Sequence, residues 1–269
     1  MSHHHNPRLT QAHLTQAHPV RDDERDAAAE LFARCFAEEL WCAALLEVLP
    51  SPEERHAFLL GTCRTDIAGF AAWNGVLVVS QTEDGDTGAG GVGAGAGAGA
   101  GASGTTGDPG ANTSMRNTGA SDTAGAPVGL ILAGGRDAPT AFDLDALHAQ
   151  GFEEGCKSLP LHSQDALKAR LKQMENLENG RWMSRFCTGD FRYIAVIGVD
   201  EAYRGTGVFG RLIDPLIAEC DELRIPLCLE CYSQQLAALY GSRGFEVVDT
   251  VHNPDLNLTQ HCMVRPPRQ

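Results

Sequence analysis

The sequence has few positive charges and no long apolar run, and each shortage argues against a class of protein. Its 21 lysine and arginine residues stand against 35 aspartate and glutamate residues, a formal net charge of −14. Such a surface repels phosphate backbones and anionic lipids, so we expect no nucleic-acid or membrane partner. No apolar run approaches the roughly 20 residues that cross a bilayer. The N-terminus also lacks the apolar stretch of a secretory signal, so we expect a cytoplasmic protein.

Sequence patterns that hold metal ions are also missing. The nine cysteines show no zinc-type spacing. Cys228 and Cys231 would point to opposite faces of a strand. We therefore expect reduced, mostly buried thiols and no metal site. The histidine run near the start falls within residues 1–11, a polar end that we expect to be disordered.

Composition divides the chain into one folded part and one low-complexity tract. With 269 residues and 43% hydrophobic content, the chain can bury one sizeable core, so we predict a single domain over residues 12–269. Residues 86–127 are mostly Gly, Ala, Ser and Thr, and such a segment buries too little apolar surface to offset its ordering entropy. Strands predicted at residues 75–81 and 128–133 make this disordered insertion the enlarged loop of a β-hairpin.

Helical periodicity dominates the rest of the N-terminal half. Residues 22–36 and 40–49 carry apolar side chains at helical spacing. Ser51 followed by Pro52 and two glutamates is a strong helix start, because serine caps the first turn and proline suits its first position. Residues 140–180 are predicted to be one further helical segment.

One β-loop-α-β unit organises the C-terminal half. Residues 193–199 form an unbroken apolar run, typical of a strand that is buried on both faces. A helix with one apolar face follows the glycines Gly205, Gly207 and Gly210, and residues 227–232 form the next strand. The first N–H groups of a helix lack internal partners, and glycines let a phosphate approach closely. The turn therefore predicts a cofactor that carries a pyrophosphate.

A dinucleotide is one cofactor that fits this turn. Gly205, Gly207 and Gly210 spell G-x-G-x-x-G, and Glu230 ends the next strand, where a ribose-binding acid belongs. Against it, the loop between strand and first glycine is longer than in the dinucleotide turn. Too little chain follows for a doubly wound sheet, and nothing upstream repeats the βαβ pattern.

An acyl-CoA is the other cofactor that fits. Residues 203–208, YRGTGV, resemble the R/Q-x-x-G-x-G/A motif of the GNAT N-acetyltransferase superfamily, and residues 239–245, LYGSRGF, resemble its LYEKLGF signature at the same spacing. The resemblance implies an α/β fold whose mixed, mostly antiparallel sheet is flanked by helices. It implies an acyl-CoA-binding core over residues 191–245, with acetyl-CoA as cosubstrate, and a helical segment over residues 140–180 that shapes the acceptor site.

The resemblance also implies roles for individual residues. By motif position, the residues that would bind CoA are Ile197, Val199, Arg204, Gly205, Thr206, Gly207, Val208, Phe209 and Ser233. Tyr240 would be the general acid that protonates the departing CoA thiolate. Phe209 stands where the motif has Gly or Ala, so the backbone would approach the phosphates less closely, and Ser233 stands where Asn is common.

The expected function is transfer of an acetyl or short acyl group from acetyl-CoA to a small-molecule or peptide amine. Glu230 is our candidate for the base, with a structural role or a water acting as base as the alternatives. His148 and His162 are expected to be ordinary surface histidines rather than bases. A non-catalytic acyl-CoA-binding regulatory domain is the alternative function, and a dinucleotide oxidoreductase ranks third. The sequence does not determine the oligomeric state and allows a homodimer.

Overall fold

The computed structural model describes residues 14–82, 124–135, 141–177 and 182–268. Most of the predicted insertion, the N-terminal residues 1–11 and the helix end predicted at residues 178–180 lie outside the described residues. None of the helices within these ranges is long and apolar enough to cross a membrane.

A seven-stranded sheet forms the centre of the fold, with strand order β1-β2-β3-β4-β5-β7-β6. Its strands are β1 (His18–Pro19), β2 (Val76–Thr82), β3 (Ala124–Gly135), β4 (Arg192–Val199), β5 (Leu227–Cys231), β6 (Glu246–Asn253) and β7 (Leu258–Arg265). Every neighbouring pair is antiparallel except β4 and β5. The predicted mixed, mostly antiparallel sheet is confirmed, and this topology contradicts the doubly wound parallel sheet that the dinucleotide alternative requires.

Helices cover both faces of the sheet. They are α1 (Arg25–Phe36), α2 (Leu40–Leu46), α3 (Pro52–Ala71), α4 (Ala141–Cys156), α5 (Leu161–Gln173), α6 (Met183–Phe186), α7 (Val208–Leu223) and α8 (Gln234–Gly241). On β3, Leu130 belongs to a core built with α1 to α6, and Ile131 belongs to a core built with α7 and α8. Successive side chains of a strand point to opposite faces, so we call these the helix-rich face and the α7–α8 face.

Local signals explain where the well-predicted elements begin. Ser51 Oγ accepts a hydrogen bond from the Glu54 N–H at 3.2 Å, and Pro52 is the first residue of α3, as predicted. The predicted β-loop-α-β unit is confirmed as β4, α7 and β5. Its two strands lie side by side and parallel, with α7 as the crossover.

β2 and β3 form the predicted hairpin, but β3 begins earlier than predicted. Their ladder reaches Thr82 and Ala124, so residues 124–127 belong to the strand rather than to the insertion. Backbone groups make this ladder, so glycine and alanine can form it. A Cβ added to Gly125 would lie only 3.0 Å from Gln81 Cβ, so this position favours glycine. Low-complexity composition shows poor side-chain burial but does not exclude strand pairing.

The predicted helical segment over residues 140–180 is interrupted. α4 ends at Cys156, α5 begins after Pro160, and α5 ends at Gln173. Pro160 accounts for the break, because it lacks an N–H and disfavours helical geometry in the residue before it. The prediction was wrong at this point because apolar periodicity continues on both sides of the proline.

Candidate active site

The parallel strands β4 and β5 separate part of the way along their length. They pair from Arg192 opposite Leu227 to Ile194 opposite Leu229, although β4 continues to Val199. A β-bulge lies at the point of separation, since Leu132 and Ala133 of β3 face Val196 and Ile194, which leaves one extra residue in β4. A bulge bends and twists its strand, so an opening forms between β4 and β5.

The edge of β4 that lines this opening carries backbone hydrogen-bonding groups. The Asp200 N–H donates to Val128 O at 2.9 Å, which directs that residue towards β3. Backbone groups of successive strand residues point to opposite edges. The groups of Ile197 and Val199 therefore point away from β3 and into the opening. This orientation leaves both sets of backbone groups able to bind an extended ligand in the opening.

The glycine turn follows β4 and ends at the first turn of α7. Gly205 and Gly207 have φ angles of 80° and 94°, a region that side chains disfavour, and Gly207 caps α7. The Arg211 N–H donates to Gly207 O at 3.1 Å, which closes the first turn. The preceding N–H groups, those of Val208, Phe209 and Gly210, therefore have no acceptor within the helix. The Gly210 N–H is one of these three groups, and it was not among the cofactor contacts predicted from the sequence.

Two predicted donors of this turn are already engaged within the loop. The Arg204 N–H donates to Glu201 O at 3.2 Å, and the Thr206 N–H donates to Tyr203 O at 3.3 Å. Thr206 Oγ1 also donates to Tyr203 O, at 2.7 Å. These bonds define the loop that presents the glycines. The side chain of Arg204 is exposed, so its charge can reach an anion bound at the turn.

Phe209, which replaces a small residue of the motif, packs between the two helices of the α7–α8 face. Its ring centroid lies 6.0 Å from that of Tyr240, and Arg243 Cζ lies 5.4 Å from the Phe209 centroid. The ring therefore forms part of the contact between α7 and α8. Its backbone N–H remains one of the first-turn donors.

Tyr240 has a buried ring and a hydroxyl that no described residue binds. Its ring is buried between Phe209 and Phe245, whose centroid lies 5.8 Å away. Within the described residues its hydroxyl has no hydrogen-bond partner, yet it is not among the fully enclosed polar atoms. Burial raises the pKa of Tyr240, and the charges of Cys231 and Glu39 add to the effect. The Tyr240 hydroxyl therefore keeps its proton at neutral pH.

Glu230 lies on the opposite face of β5 from Tyr240. Trp182 Nε1 donates to Glu230 Oε1, and the Tyr193 hydroxyl donates to Oε2 at 3.4 Å. Trp182 is fully buried. Both carboxylate oxygens are thus held by neighbouring side chains on the helix-rich face, which corresponds to the structural alternative for this residue.

Glu39 was not a candidate in the sequence analysis, but its carboxylate is less fully engaged than that of Glu230. Its Oε2 caps α2 by accepting the N–H groups of Trp41 and Cys42 at 2.9 and 3.1 Å. Burial raises its pKa, although the backbone N–H groups lower it. Its charge also raises the pKa of Tyr240 and of Tyr232, so the carboxylate lies near both. An acid before an apolar run signals a helix cap, but nothing local signals this long-range placement.

A cavity of about 550 Å³ opens between α2 and the β6–β7 hairpin. Its lining residues come from α2, from the end of β5 and the start of α8, and from the β6–β7 turn and β7: Leu40, Ala43, Ala44, Glu47, Tyr232, Gln234, Leu256, Asn257, Leu258, Thr259 and His261. No described residue of the segment 140–180 lines it. That segment reaches its rim through Arg170, whose Nη1 lies 3.0 Å from Glu47 Oε2.

The remaining predicted residues have defined local roles. Ser233 caps α8 by accepting the Leu236 N–H at 3.2 Å. His148 is half-buried, and burial lowers its pKa while Asp145 raises it. His162 is exposed in the first turn of α5. Neither histidine lines the cavity.

Comparison with known proteins identifies the fold. No protein-family model and no curated protein matches the sequence. Among solved structures, a histone acetyltransferase HPA2 and related acetyltransferase from Corynebacterium glutamicum superposes with a TM-score of 0.53 at 15% identity, over 94% of this chain and 97% of that one. Arylalkylamine N-acetyltransferase 2 from Aedes aegypti gives a TM-score of 0.50 at 12% identity, over 95% and 99%.

An agmatine N-acetyltransferase, solved as a point mutant in the apo form, also gives a TM-score of 0.50 at 12% identity, over 94% of this chain and 99% of that one. All three comparisons cover nearly the whole chain. They agree with the seven-stranded, mostly antiparallel open sheet flanked by helices that is described above. This chain therefore has the fold of the GNAT N-acetyltransferases.

Proposed function

We propose that the protein is an N-acyltransferase that moves an acetyl or short acyl group from acetyl-CoA to an amine by direct attack. The observation that carries the proposal is the opening between β4 and β5. A turn of backbone N–H groups follows the end of β4, and the ring of Tyr240 packs against the ring of Phe209 in the first turn of α7. In this proposal the N–H groups of the turn bind the anion and Tyr240 donates the proton, both at the β4–β5 opening.

The chain's own groups suit the parts of CoA. The N–H groups of Val208, Phe209 and Gly210, together with the partial positive charge of the α7 N-terminus, would hold the pyrophosphate. The side chain of Arg204 would add a full charge beside it. Backbone groups of Ile197 and Val199 would pair with the amides of the pantetheine arm. That arm would place the thioester where β4 and β5 separate.

Acyl transfer from this thioester needs a proton for the departing thiolate. The acceptor nitrogen attacks the carbonyl carbon, and the tetrahedral intermediate then breaks its C–S bond. Tyr240 would give its hydroxyl proton to the sulfur as that bond breaks. The raised pKa of Tyr240 keeps that proton in place at neutral pH.

The transfer also needs an acceptor for the proton of the attacking nitrogen. We assign this role to Glu39, directly or through a water, because its second carboxylate oxygen is not used in capping α2. Its raised pKa strengthens it as a base. Glu230, the base predicted from the sequence, holds Trp182 and Tyr193 instead.

The cavity beside α2 is the proposed acceptor site. It adjoins the cap of α2 at Leu40, and its walls alternate apolar side chains with Tyr232, Gln234 and Thr259. The acidic chain, with a net charge of −14, favours the approach of a cationic amine. Both small-molecule and peptide amines fit these properties.

The proposal is tested by measuring release of free CoA thiol from acetyl-CoA with a panel of primary amines, polyamines and short peptides. We expect release that depends on one class of amine and is at least about tenfold above hydrolysis of acetyl-CoA alone. Binding of acetyl-CoA without turnover on any amine would favour the non-catalytic regulatory domain. Absence of both binding and turnover would contradict the proposal.

Replacing Glu39 or Glu230 separates the two candidate bases. Glu39→Gln should remove the rise of kcat/KM with pH that accompanies ionisation of the carboxyl, because an amide cannot accept the proton. The loss at neutral pH should be roughly 100-fold, the low end for general base catalysis. Glu230→Gln keeps an oxygen for Trp182 and should change kcat less than about threefold. Equal pH profiles for wild type and Glu39→Gln would contradict the assignment.

A further inference from the structure

Two buried thiols from different parts of the fold lie in direct contact. Cys187 follows the last residue of α6, and Cys228 lies in β5. Their sulfur atoms are 3.3 Å apart although the residues are 41 positions apart in sequence. Neither is in a disulfide, so the chain carries two adjacent thiol groups there.

The two thiols differ in access and in character. Cys187 is 8% exposed, whereas Cys228 is completely buried. The hydrogen bond between them lowers the pKa of Cys187 and raises the pKa of Cys228, with burial opposing the first shift and adding to the second. Cys187 thus has more thiolate character, and thiolate is the form that attacks oxidants. Cys228 is placed to react second.

We propose that Cys187 and Cys228 are an oxidation-sensitive dithiol, which hydrogen peroxide converts to a disulfide joining the end of α6 to β5. The Cys187 thiolate attacks one oxygen of the peroxide, the O–O bond breaks, and the departing hydroxide takes up a proton as water. The resulting sulfenic acid is attacked by the sulfur of Cys228. The S–O bond breaks, a second water leaves with the proton of Cys228, and the S–S bond forms.

Closing the disulfide requires a small approach of the two sulfur atoms. A disulfide requires a sulfur separation of about 2.05 Å, so the sulfurs must approach by roughly 1.2 Å. Cys228 is fixed between Tyr193 of β4 and Val264 of β7. Cys187 follows α6 and belongs to no strand; its N–H donates to Met183 O at 2.7 Å, so fewer backbone bonds hold it than hold Cys228.

The disulfide would reinforce an existing contact next to the active-site opening. α6 is already held to β5 through Trp182 and Glu230. Cys228 pairs with Tyr193, one residue before the β4–β5 ladder ends. Oxidation would therefore fix β5 to α6 beside the point where β4 and β5 separate. This property is independent of the proposed acyl transfer.

The test is to treat the folded full chain with hydrogen peroxide, alkylate the remaining thiols in denaturant, and map linked peptides by mass spectrometry without reduction. Cleavage after Arg and Glu isolates residues 186–192 and 225–230 and separates Cys228 from Cys231. We expect the folded chain to lose two titratable thiols, with these two peptides linked and the link reversed by dithiothreitol.

Two variants and one experiment in denaturant are the controls. Cys187→Ala should prevent the loss of Cys228, whereas Cys220→Ala, a buried thiol on the α7–α8 face, should leave the 187–228 link unchanged. The chain oxidised in denaturant should give mixed pairs. A folded chain in which peroxide links other cysteines, or oxidises Cys187 without linking it to Cys228, would overturn the proposal.

Discussion

Tyr240→Phe is expected to lower kcat by roughly 100-fold to 10,000-fold, the range typical of a lost general acid. The change removes only the hydroxyl. The ring contacts with Phe209 and Phe245 that bury Tyr240 stay in place. The affinity for acetyl-CoA and the unfolding temperature should therefore change little. Steady-state thiol release, together with a binding titration, separates these effects.

Tyr203→Phe is the matched control for this variant. Tyr203 is buried in the same α7–α8 core, and its carbonyl, not its side chain, accepts the Thr206 bonds. We expect its kcat to stay within about threefold of wild type. If Tyr240→Phe also retained a kcat within about threefold of wild type, Tyr240 would be core packing alone and the proton would have to come from solvent.

Asp66→Asn is expected to stabilise the fold, and more so as pH rises. Asp66 is 6% exposed in α3, and its Oδ1 has no hydrogen-bond partner among the described residues. It faces α4 so closely that a Cβ on Gly151 would lie 3.1 Å from it. Burial raises the pKa of Asp66 from 3.8 to about 8. The carboxyl is therefore protonated in the native state, whereas in the unfolded chain, exposed to water, it ionises at neutral pH.

The direction in which stability changes with pH follows from the raised pKa of Asp66. Below the unfolded pKa both states are protonated and the carboxyl causes no penalty. Between that value and the folded pKa of about 8, the unfolded state ionises and the native state does not. Wild-type stability should therefore fall by about 1.4 kcal/mol per pH unit from this group alone. Asn cannot ionise, so the variant lacks this slope.

Urea unfolding at about pH 5 and about pH 7.5 measures the effect. The difference in unfolding free energy between Asp66→Asn and wild type should grow by about 3 kcal/mol across that interval. Asp26→Asn is the control, since Asp26 is 84% exposed and paired with Arg64, and it should show no such growth. A difference that stays constant between the two pH values would show that Asp66 is already charged in the native state.

Elements whose signals are local were predictable from the sequence. The start of α3 follows from Ser51 and Pro52, and the cap of α7 follows from Gly207. Both depend on interactions within one turn of helix. The β-hairpin around the insertion was predicted for the same kind of reason, because two apolar runs flank it. Its strand boundary was wrong at Ala124 because backbone pairing does not depend on side-chain composition.

Placement across the sheet could not be read from local pattern. The alternation of β5 puts Glu230 on the face opposite to Leu229 and Cys231, but it does not show that Trp182 donates to the Glu230 carboxylate. Glu39 likewise appears in sequence as a helix cap, and its effect on Tyr240 depends on how α2 sits over the sheet. The separation of β4 from β5 also depends on a bulge in long-range pairing.

The central claim is that the glycine turn and the β4–β5 opening form a CoA site, and thermal unfolding with acetyl-CoA or NAD(H), each near millimolar, tests it most directly. A ligand at 100 times its dissociation constant stabilises the native state by roughly 2.7 kcal/mol, which is a shift of about 5 to 10 °C at this chain length. We predict such a shift with acetyl-CoA and none with NAD(H). A shift with NAD(H) alone, or with neither ligand, would contradict the claim.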